Sequence, residues 1–132
     1  MPVTIAVRDE STSGEAYAAG HLAFEREMVT VRELIRSRVF QDVKDHNVKR
    51  NQTRFSGLVQ PTEAEQELNG YRLKHPRQVD WQKQYEVALE SFAHNGFLVL
   101  VNDRQVDRLD EVVELTRDTT VTFLRLVPLV GG

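Results

Sequence analysis

The chain has 132 residues, 40% of them hydrophobic, which is enough for one domain with one core. Seventeen Lys and Arg against twenty Asp and Glu leave a net charge of -3, so charge gives no reason to expect nucleic acid or an anionic membrane as a partner. Cysteine is absent, which excludes disulfides, thiolate metal sites and cysteine nucleophiles within the chain. No apolar run approaches the roughly 20 residues of a membrane helix, so we expect a cytoplasmic protein without signal peptide or anchor.

Two alternating segments near the start of the sequence predict an antiparallel hairpin. Residues 3–8 and 21–25 alternate apolar and polar side chains with the period of half-buried strands. The apolar positions are Val3, Ile5, Val7, Leu22 and Phe24.

Two helices are predicted from their caps. Thr30 and Glu33 have the spacing of a capping box, so a helix is expected to begin there. Asp80 is the expected cap of a second helix, which ends at Asn95-Gly96. The side chains expected to be buried are Val31, Leu34, Ile35, Val39 and Val43 in the first helix, and Trp81, Tyr85, Ala88, Leu89 and Phe92 in the second.

The segment between the helices, about residues 46–78, is polar and is interpreted as an insertion with thin packing. Within it, residues 61–68 are expected to form one or two helical turns, because acidic residues follow Pro61 and a turn follows at Asn69-Gly70. The remainder is expected to be loop. The side chains available for burial are Phe55, Leu58, Val59, Tyr71 and Leu73.

Strands are predicted again after the second helix. Residues 97–101 are apolar on both faces, a turn follows at Asn102-Asp103, and a short run follows Gln105. Residues 120–127 form the last predicted strand, which Pro128 ends. Two early strands, a helix and a return of strands define an α+β architecture of a mixed sheet packed on a helix.

The C-terminal two-fifths of the sequence resembles a known family. A helix is followed by Leu100-Val101-Asn102-Asp103-Arg104-Gln105-Val106, by Asp118-Thr119-Thr120-Val121 and by Val127-Pro128-Leu129-Val130-Gly131-Gly132. This order resembles the small sulfur carriers of molybdopterin and thiazole synthesis, which share the β-grasp fold with ubiquitin. The chain is longer than those carriers, and in this it is similar to the embellished β-grasp modifiers of bacteria, which are encoded beside activating, conjugating and deconjugating enzymes.

The resemblance implies a single ubiquitin-like β-grasp domain over residues 1–132, with the insertion at about 46–78 and a flexible tail at 129–132. It implies a protein modifier that an activating enzyme adenylates and that a conjugating enzyme joins to a target protein, with a deconjugating protease as a further partner. The alternative within the family is a sulfur carrier whose Gly132 becomes a thiocarboxylate. A third alternative, of a different class, is a non-covalent interaction module.

The expected reactive group is the Gly132 carboxylate. An α-carboxyl group is an anion at neutral pH and can attack the α-phosphate of ATP, which the partner enzyme would supply, since the chain has no phosphate loop. Gly131 and Gly132 lack Cβ atoms, so they suit a narrow channel. Together with Leu129 and Val130 they can extend about 13 Å beyond Pro128 at roughly 3.3 Å per residue.

The last strand is expected to bind partners through one sheet face. Alternation places Leu124 and Leu126 toward the core, and leaves an outer face that would meet the activating enzyme. The residues assigned to that face are Phe123, Arg125, Val127, Phe97 and Val99. The neighbouring strand can contribute either of its two rows, Leu98 and Leu100 or Phe97, Val99 and Val101. The insertion covering this face is the competing interpretation.

No residue pattern predicts intrinsic catalysis, a bound cofactor or a metal. The four histidines have no metal-ligand spacing, and no serine lies in a nucleophile elbow. The chain is therefore expected to be a substrate of enzymes and not an enzyme. Its four lysines are expected to be solvated, although each offers an amine to a second copy; they are Lys44, Lys49, Lys74 and Lys83.

Overall fold

The computed structural model describes residues 2–49, 53–67 and 70–126. The chain divides into two compact units, the first made of Met1–Leu34 and Phe92–Gly132, and the second of Ile35–Ser91. In chain order the elements are β1 (Val3–Ser11), β2 (Ala16–Phe24), β3 (Met28–Thr30), α1 (Val31–Asn47), β4 (Arg54–Phe55), β5 (Ala64–Glu67), β6 (Gly70–Leu73), α2 (Trp81–Ala93), β7 (Phe97–Val101), β8 (Arg104–Val106), β9 (Val112–Glu114) and β10 (Thr120–Arg125).

A mixed five-stranded sheet forms most of the first unit, in the order β2-β1-β10-β7-β8. β1 and β10 are parallel, with Val7 opposite Val121, whereas the other neighbouring strands of this sheet are antiparallel. A parallel pair needs a long crossover connection, and here the whole chain between the two strands supplies it. β10 therefore lies at the centre of the sheet, with a hydrogen-bonded strand on each side.

The predicted N-terminal hairpin is confirmed, although both strands are longer than the alternating runs. Ile5 faces Leu22 in the register, and both side chains are buried. The register shifts after Val7, opposite Gly20, whose φ of 111° is a conformation that side chains with a Cβ rarely adopt. The shift accommodates one extra residue in β2, and the alternation resumes beyond it.

The predicted capping box begins α1. The Glu33 backbone N–H donates to the Thr30 hydroxyl over 3.2 Å, and that hydroxyl lies 3.4 Å from the Glu33 carboxylate. The backbone N–H groups of Val31 and Arg32, in the first turn, have no acceptor within the helix. They donate to carbonyl oxygens of the segment before β9 over 3.0 Å each. The predicted buried stripe is confirmed, since Val31, Leu34, Ile35, Val39 and Val43 are all buried.

A short two-stranded sheet in the first unit is absent from the predictions. β3 pairs antiparallel with β9, and Val29 lies opposite Val113 with both side chains buried. Each strand has three residues, which is too short for alternation to be recognised. The pairing places the start of α1 against the segment that supplies its capping carbonyls.

Both predicted ends of α2 are confirmed. The backbone N–H groups of Gln82 and Lys83 donate to the Asp80 carboxylate over 2.9 and 3.4 Å. Asn95 adopts the left-handed conformation, with a φ of 59°, and its backbone N–H donates to the Phe92 carbonyl oxygen.

The buried side of α2 differs in part from the prediction. Ala88 and Phe92 are buried as expected, but the third buried position is Gln84, whereas Trp81, Tyr85 and Leu89 are only half-buried. Gln84 tolerates burial because its Nε2 donates to the Val59 carbonyl oxygen over 3.1 Å. A polar residue in the interior was therefore invisible to an apolar pattern.

The second unit contains a three-stranded antiparallel sheet, in the order β4-β6-β5. The predicted helical turns over residues 61–68 are wrong, since β5 begins at Ala64 and pairs with β6. Glu63 has a φ of 58°, and this left-handed residue cannot continue a right-handed helix. The predicted loop is wrong where β4 and β6 form, whereas residues 56–60 and 74–78 contain neither helix nor strand, as predicted. The five side chains predicted for burial are buried, namely Phe55, Leu58, Val59, Tyr71 and Leu73.

An ion pair between Arg38 and Asp42 lies on the inner side of α1 in the second unit. Arg38 Nε lies 2.9 Å from Asp42 Oδ1, and the two side chains are only 6% and 13% exposed. Asp42 Oδ2 also accepts the Leu58 backbone N–H over 2.9 Å. The pair thus ties the segment that follows β4 to the helix.

The end of α1 holds the segment that precedes α2. The Asn47 amide exchanges two hydrogen bonds with the Val79 backbone, of 2.8 and 2.9 Å. The buried His46 ring lies against Phe55, and its Nε2 is 3.0 Å from the Arg77 carbonyl oxygen. These contacts satisfy backbone groups in a segment without regular structure.

The architecture is α+β with a mixed five-stranded sheet, as predicted, and it is compatible with a β-grasp. Residues from both helices contribute to the core of the first unit: Val31 and Leu34 of α1, and Phe92 of α2. The description of residues 1–132 as a single domain with an insertion stays a prediction.

Replacement of Phe123 by Ala is expected to lower the free energy of unfolding by about 3–5 kcal/mol, because the ring is fully buried and its removal leaves a cavity. Leu126→Ala is the matched control, since Leu126 is 37% exposed and should lose less than about 1 kcal/mol. Urea denaturation followed by circular dichroism measures both. Equal losses would contradict the inward orientation of Phe123.

Asp42→Asn is expected to cost about 3 kcal/mol, because it leaves the buried Arg38 guanidinium without its carboxylate. Asp45→Asn is the control. Asp45 lies three residues further along α1, is exposed and accepts a hydrogen bond from Gln41, so its substitution should change stability by less than about 0.5 kcal/mol. Thermal and urea unfolding of the two variants at one pH compare them. A smaller loss for Asp42→Asn than for Asp45→Asn would refute this role of the ion pair.

Candidate functional site

The predicted reactive tail, Leu129, Val130, Gly131 and Gly132, lies outside the described residues, as does Val127. The structure does describe the strand that leads toward it. β10 pairs with β1 and β7, and the Leu126 backbone N–H then donates to the Gly96 carbonyl oxygen over 3.1 Å. The chain is therefore held by backbone hydrogen bonds as far as Leu126.

The Val101-Asn102 motif that carries part of the family resemblance forms the β7–β8 turn. Asn102 and Asp103 have φ values of 49° and 68°, so both central residues of this two-residue loop are left-handed, as a type I′ hairpin requires. The Asn102 side chain reaches further, and its Oδ1 accepts the backbone N–H of Thr120 over 2.9 Å. The Asn102 N–H in turn donates to the Thr120 carbonyl oxygen over 2.9 Å.

The aspartate-containing motif before the last strand is a second closed turn. The backbone N–H of Thr116 donates to the Thr119 hydroxyl over 2.8 Å, and the backbone N–H of Thr119 donates to the Thr116 carbonyl oxygen over 3.0 Å. The Asp118 N–H donates to the Thr116 hydroxyl over 3.2 Å. The two motifs meet at Thr119-Thr120, where β10 begins, and they fix its first residue.

The predicted partner-binding face is wrong in its orientation. Phe97, Val99 and Phe123 are 1%, 0% and 0% exposed, and the Phe97 ring contacts both Phe123 and Phe92 of α2. Arg125 follows on the same row and is half-buried, and its guanidinium donates to the Tyr17 hydroxyl over 2.8 Å. Both rows of the last strand are apolar, so alternation alone could not distinguish the core row from the outer one.

The outer row of the sheet is instead the alternate set. Leu98 lies opposite Leu124, and Leu100 opposite Thr122, on neighbouring central strands. The three leucines are half-buried, whereas Thr122 between them is buried. The three leucines thus form an apolar strip on two neighbouring central strands that remains in partial contact with solvent.

Charged residues border this apolar strip on the β1 side. Arg8 and Glu10 lie opposite Thr122 and Leu124 in the parallel register and form an ion pair of 3.5 Å. Both side chains remain partly exposed, so the pair contributes little to stability and leaves polar groups at the rim of the strip.

Histidines do not form a site in the described part of the chain. His21, His75 and His94 are exposed, whereas His46 is buried in the second unit. Within the described ranges no three His, Asp or Glu side chains come together as a metal-binding group. The four lysines are exposed, as predicted.

Sequence reasoning missed a group of exposed rings in the second unit. Phe40, Trp81 and Tyr85 lie next to one another. Trp81 and Tyr85 were predicted to be buried, and no role was predicted for Phe40. The available signal was the spacing of four between Arg36, Phe40 and Lys44, which places them on one side of α1 and off the buried stripe.

Comparisons of the chain with protein-family models, with curated proteins and with solved structures give no match. Among the described residues, neither helix combines the length and the apolar character that crossing a membrane requires. Function is therefore inferred from the residues and geometry of this chain.

Asn102→Ala is expected to cost about 1–2 kcal/mol, because it removes the acceptor of the Thr120 N–H and a residue that tolerates a positive φ. Asp103→Gly is the control in the same turn, and it should be neutral or stabilising since glycine adopts a φ of 68° without strain. Unfolding free energies of the two variants measure the difference. A larger loss for Asp103→Gly would show that the turn does not depend on the Asn102 side chain.

Proposed function

We propose that this chain is a ubiquitin-like modifier of the β-grasp class, which acts in the cytoplasm and is joined to target proteins through Gly132. The observation that carries the proposal is the strand order β2-β1-β10-β7-β8, compatible with a β-grasp, in which the strand preceding Gly131-Gly132 is central. A tail that follows a central strand starts from a fixed point, and a partner that recognises the folded sheet can then locate it.

The proposed reaction uses the Gly132 carboxylate as the nucleophile. One carboxylate oxygen bonds to the α-phosphorus of ATP, the bond from that phosphorus to the bridging oxygen breaks, and pyrophosphate leaves. An amine of the target then attacks the acyl carbon, AMP departs with the bonding electron pair, and the amine proton passes to a base on the partner enzyme. This chain supplies the acyl group, whereas the partner positions ATP and stabilises the developing charge.

The outer strip of Leu98, Leu100 and Leu124 supports the same proposal as the surface for the activating enzyme. It replaces the predicted set around Phe123, because Phe123, Phe97 and Val99 are buried in the core. The strip lies on β7 and β10, so it belongs to the strand that leads toward the tail and to its neighbour. A partner that covers it would approach the tail from the sheet side.

Incubation of the full chain with its cognate activating enzyme, Mg²⁺ and ATP labelled at the α-phosphate should give labelled adenylate and a covalent adduct. Deletion of Gly132 is expected to abolish both, because the truncated tail no longer reaches the α-phosphate. Leu98→Glu should slow adenylation without altering the circular dichroism spectrum. The matched control is Val112→Glu, at an exposed apolar residue of β9 outside the strip, and it should leave the rate of adenylation unchanged. Undiminished adduct from the deleted chain would falsify the proposal.

Intact mass after expression in the native host decides between the two fates of the tail. It first establishes whether the protein ends at Gly132, either as encoded or after processing of a longer chain. Replacement of one oxygen by one sulfur in the free protein assigns a sulfur carrier with a C-terminal thiocarboxylate. Attachment of the chain to other proteins through Gly132 assigns a modifier.

A further inference from the structure

A partly exposed aromatic group on the second unit is formed by one ring of α1 and two rings of α2. The Phe40 ring meets the Trp81 ring edge to face, with centroids 5.5 Å apart, and Trp81 is followed by Tyr85 at 6.1 Å. Phe40 is 46% exposed in spite of this contact, and the two α2 rings are half-buried. The core row of α1 in this unit, Ile35, Val39 and Val43, lies on another side of the helix.

Two cations flank the aromatic group along α1. The Arg36 guanidinium lies over the Trp81 ring, with its carbon 5.4 Å from the ring centroid, and Lys44 is exposed one turn beyond Phe40. Within the described residues neither cation has a carboxylate partner. A guanidinium held over an aromatic face by cation–π attraction can still donate N–H groups from its edge to a carboxylate in two places.

The spacing of this row defines what can bind it. Arg36, Phe40 and Lys44 are four residues apart, so each step along the helix is about 6 Å at 1.5 Å per residue. Side chains on one face of an extended chain repeat every two residues, which is about 6.6 Å. An extended segment with an acidic residue, an apolar residue and a second acidic residue at alternate positions therefore matches the row of cation, ring and cation.

We propose that the surface formed by Arg36, Phe40, Lys44, Trp81 and Tyr85 binds an extended segment of a partner protein in which an apolar side chain lies between two carboxylates at alternate positions. The apolar side chain packs on Phe40 and Trp81, and the carboxylates pair with Arg36 and Lys44. Trp, Tyr and Arg are the residues that most often dominate binding energy at interfaces. The site contains neither the tail nor the sheet strip. Peptide binding here goes beyond the function proposed above, and its test does not depend on that function.

Charge favours a protein segment over nucleic acid as the occupant. Rings and cations together also suit single-stranded nucleic acid, but a strand of phosphates is normally bound by a groove of many cations. Here Asp45 lies on the adjacent row of α1, held by the Gln41 amide, and the whole chain carries a net charge of -3. Two spaced cations match two carboxylates better than a continuous line of phosphates.

Trp81 is the one tryptophan of the chain, so its emission reports directly on this surface. The full chain is titrated with short synthetic peptides in which Asp or Glu, Phe or Leu, and Asp or Glu occupy alternate positions separated by Ser. We expect a saturable change in Trp81 emission that weakens as salt is raised. Peptides with Lys in place of the acids, with Ser in place of the apolar residue, or with the two acids adjacent should bind at least about tenfold more weakly.

Substitutions test whether the peptide binds to the row of Arg36, Phe40 and Lys44. Phe40→Ser should weaken the peptide about tenfold, and Arg36→Glu and Lys44→Glu should each weaken it by a similar factor. The controls are Val87→Ser, which alters another exposed apolar residue of α2, and Lys74→Glu, which alters an exposed cation elsewhere in the unit. Circular dichroism establishes that each variant is folded.

Three results of the titrations would each overturn the proposal. They are the absence of a saturable response to every peptide of the alternating series, an equal response to the Lys peptides, and a stronger response to a single-stranded oligonucleotide. Equal weakening by Val87→Ser and Phe40→Ser would likewise place the binding elsewhere.

Discussion

The parallel pairing of β1 with β10 is the contact on which the rest of the first unit depends. It joins Ala6 to Thr120 and so connects segments that lie far apart in the sequence. With β7 on its other side, β10 has both backbone edges satisfied, and its direction and register are determined. The Asn102 side chain and the Thr116–Thr119 turn act at the start of the same strand. The course of β10 is thus set by hydrogen bonds to both neighbouring strands and by the contacts at its first residue.

Elements with a clear local pattern, the capped helices and the longer alternating strands, could be predicted from the sequence, whereas the short strands that form through pairing with distant partners could not. The caps at Thr30 and Asp80 act within one helical turn, so residue type and spacing were sufficient. The helical interpretation of residues 61–68 failed because β6 pairs with Ala64 and its neighbours, and Glu63 just before them is left-handed. A local helix preference of a few tenths of a kcal/mol per residue is easily outweighed by such pairing.

The candidate site shows the same division. The motif residues around Asn102 were recognised from sequence, but their bond to Thr120 depends on the folded sheet. The outward row was misassigned because Phe123 and Leu124 are both suitable for a core, and the pairing with β1 and β7 decides between them. Phe40 was overlooked because it lies one position off the apolar stripe of α1 and acquires its neighbour, Trp81, from the other helix. On α2 the polar Gln84 is buried, whereas Trp81 and Tyr85 are only half-buried.

The central place of β10 also has a consequence for synthesis on the ribosome. β1 and β2 can form their hairpin as soon as both are made, but the second edge of β1 has no partner until Thr120 and the residues after it have emerged. An unpaired edge with buried-type side chains such as Ile5 and Val7 is prone to pair with other chains. Sheet closure is a non-local and therefore slow event. In the nascent chain this edge of β1 therefore stays unpaired until β10 has been made.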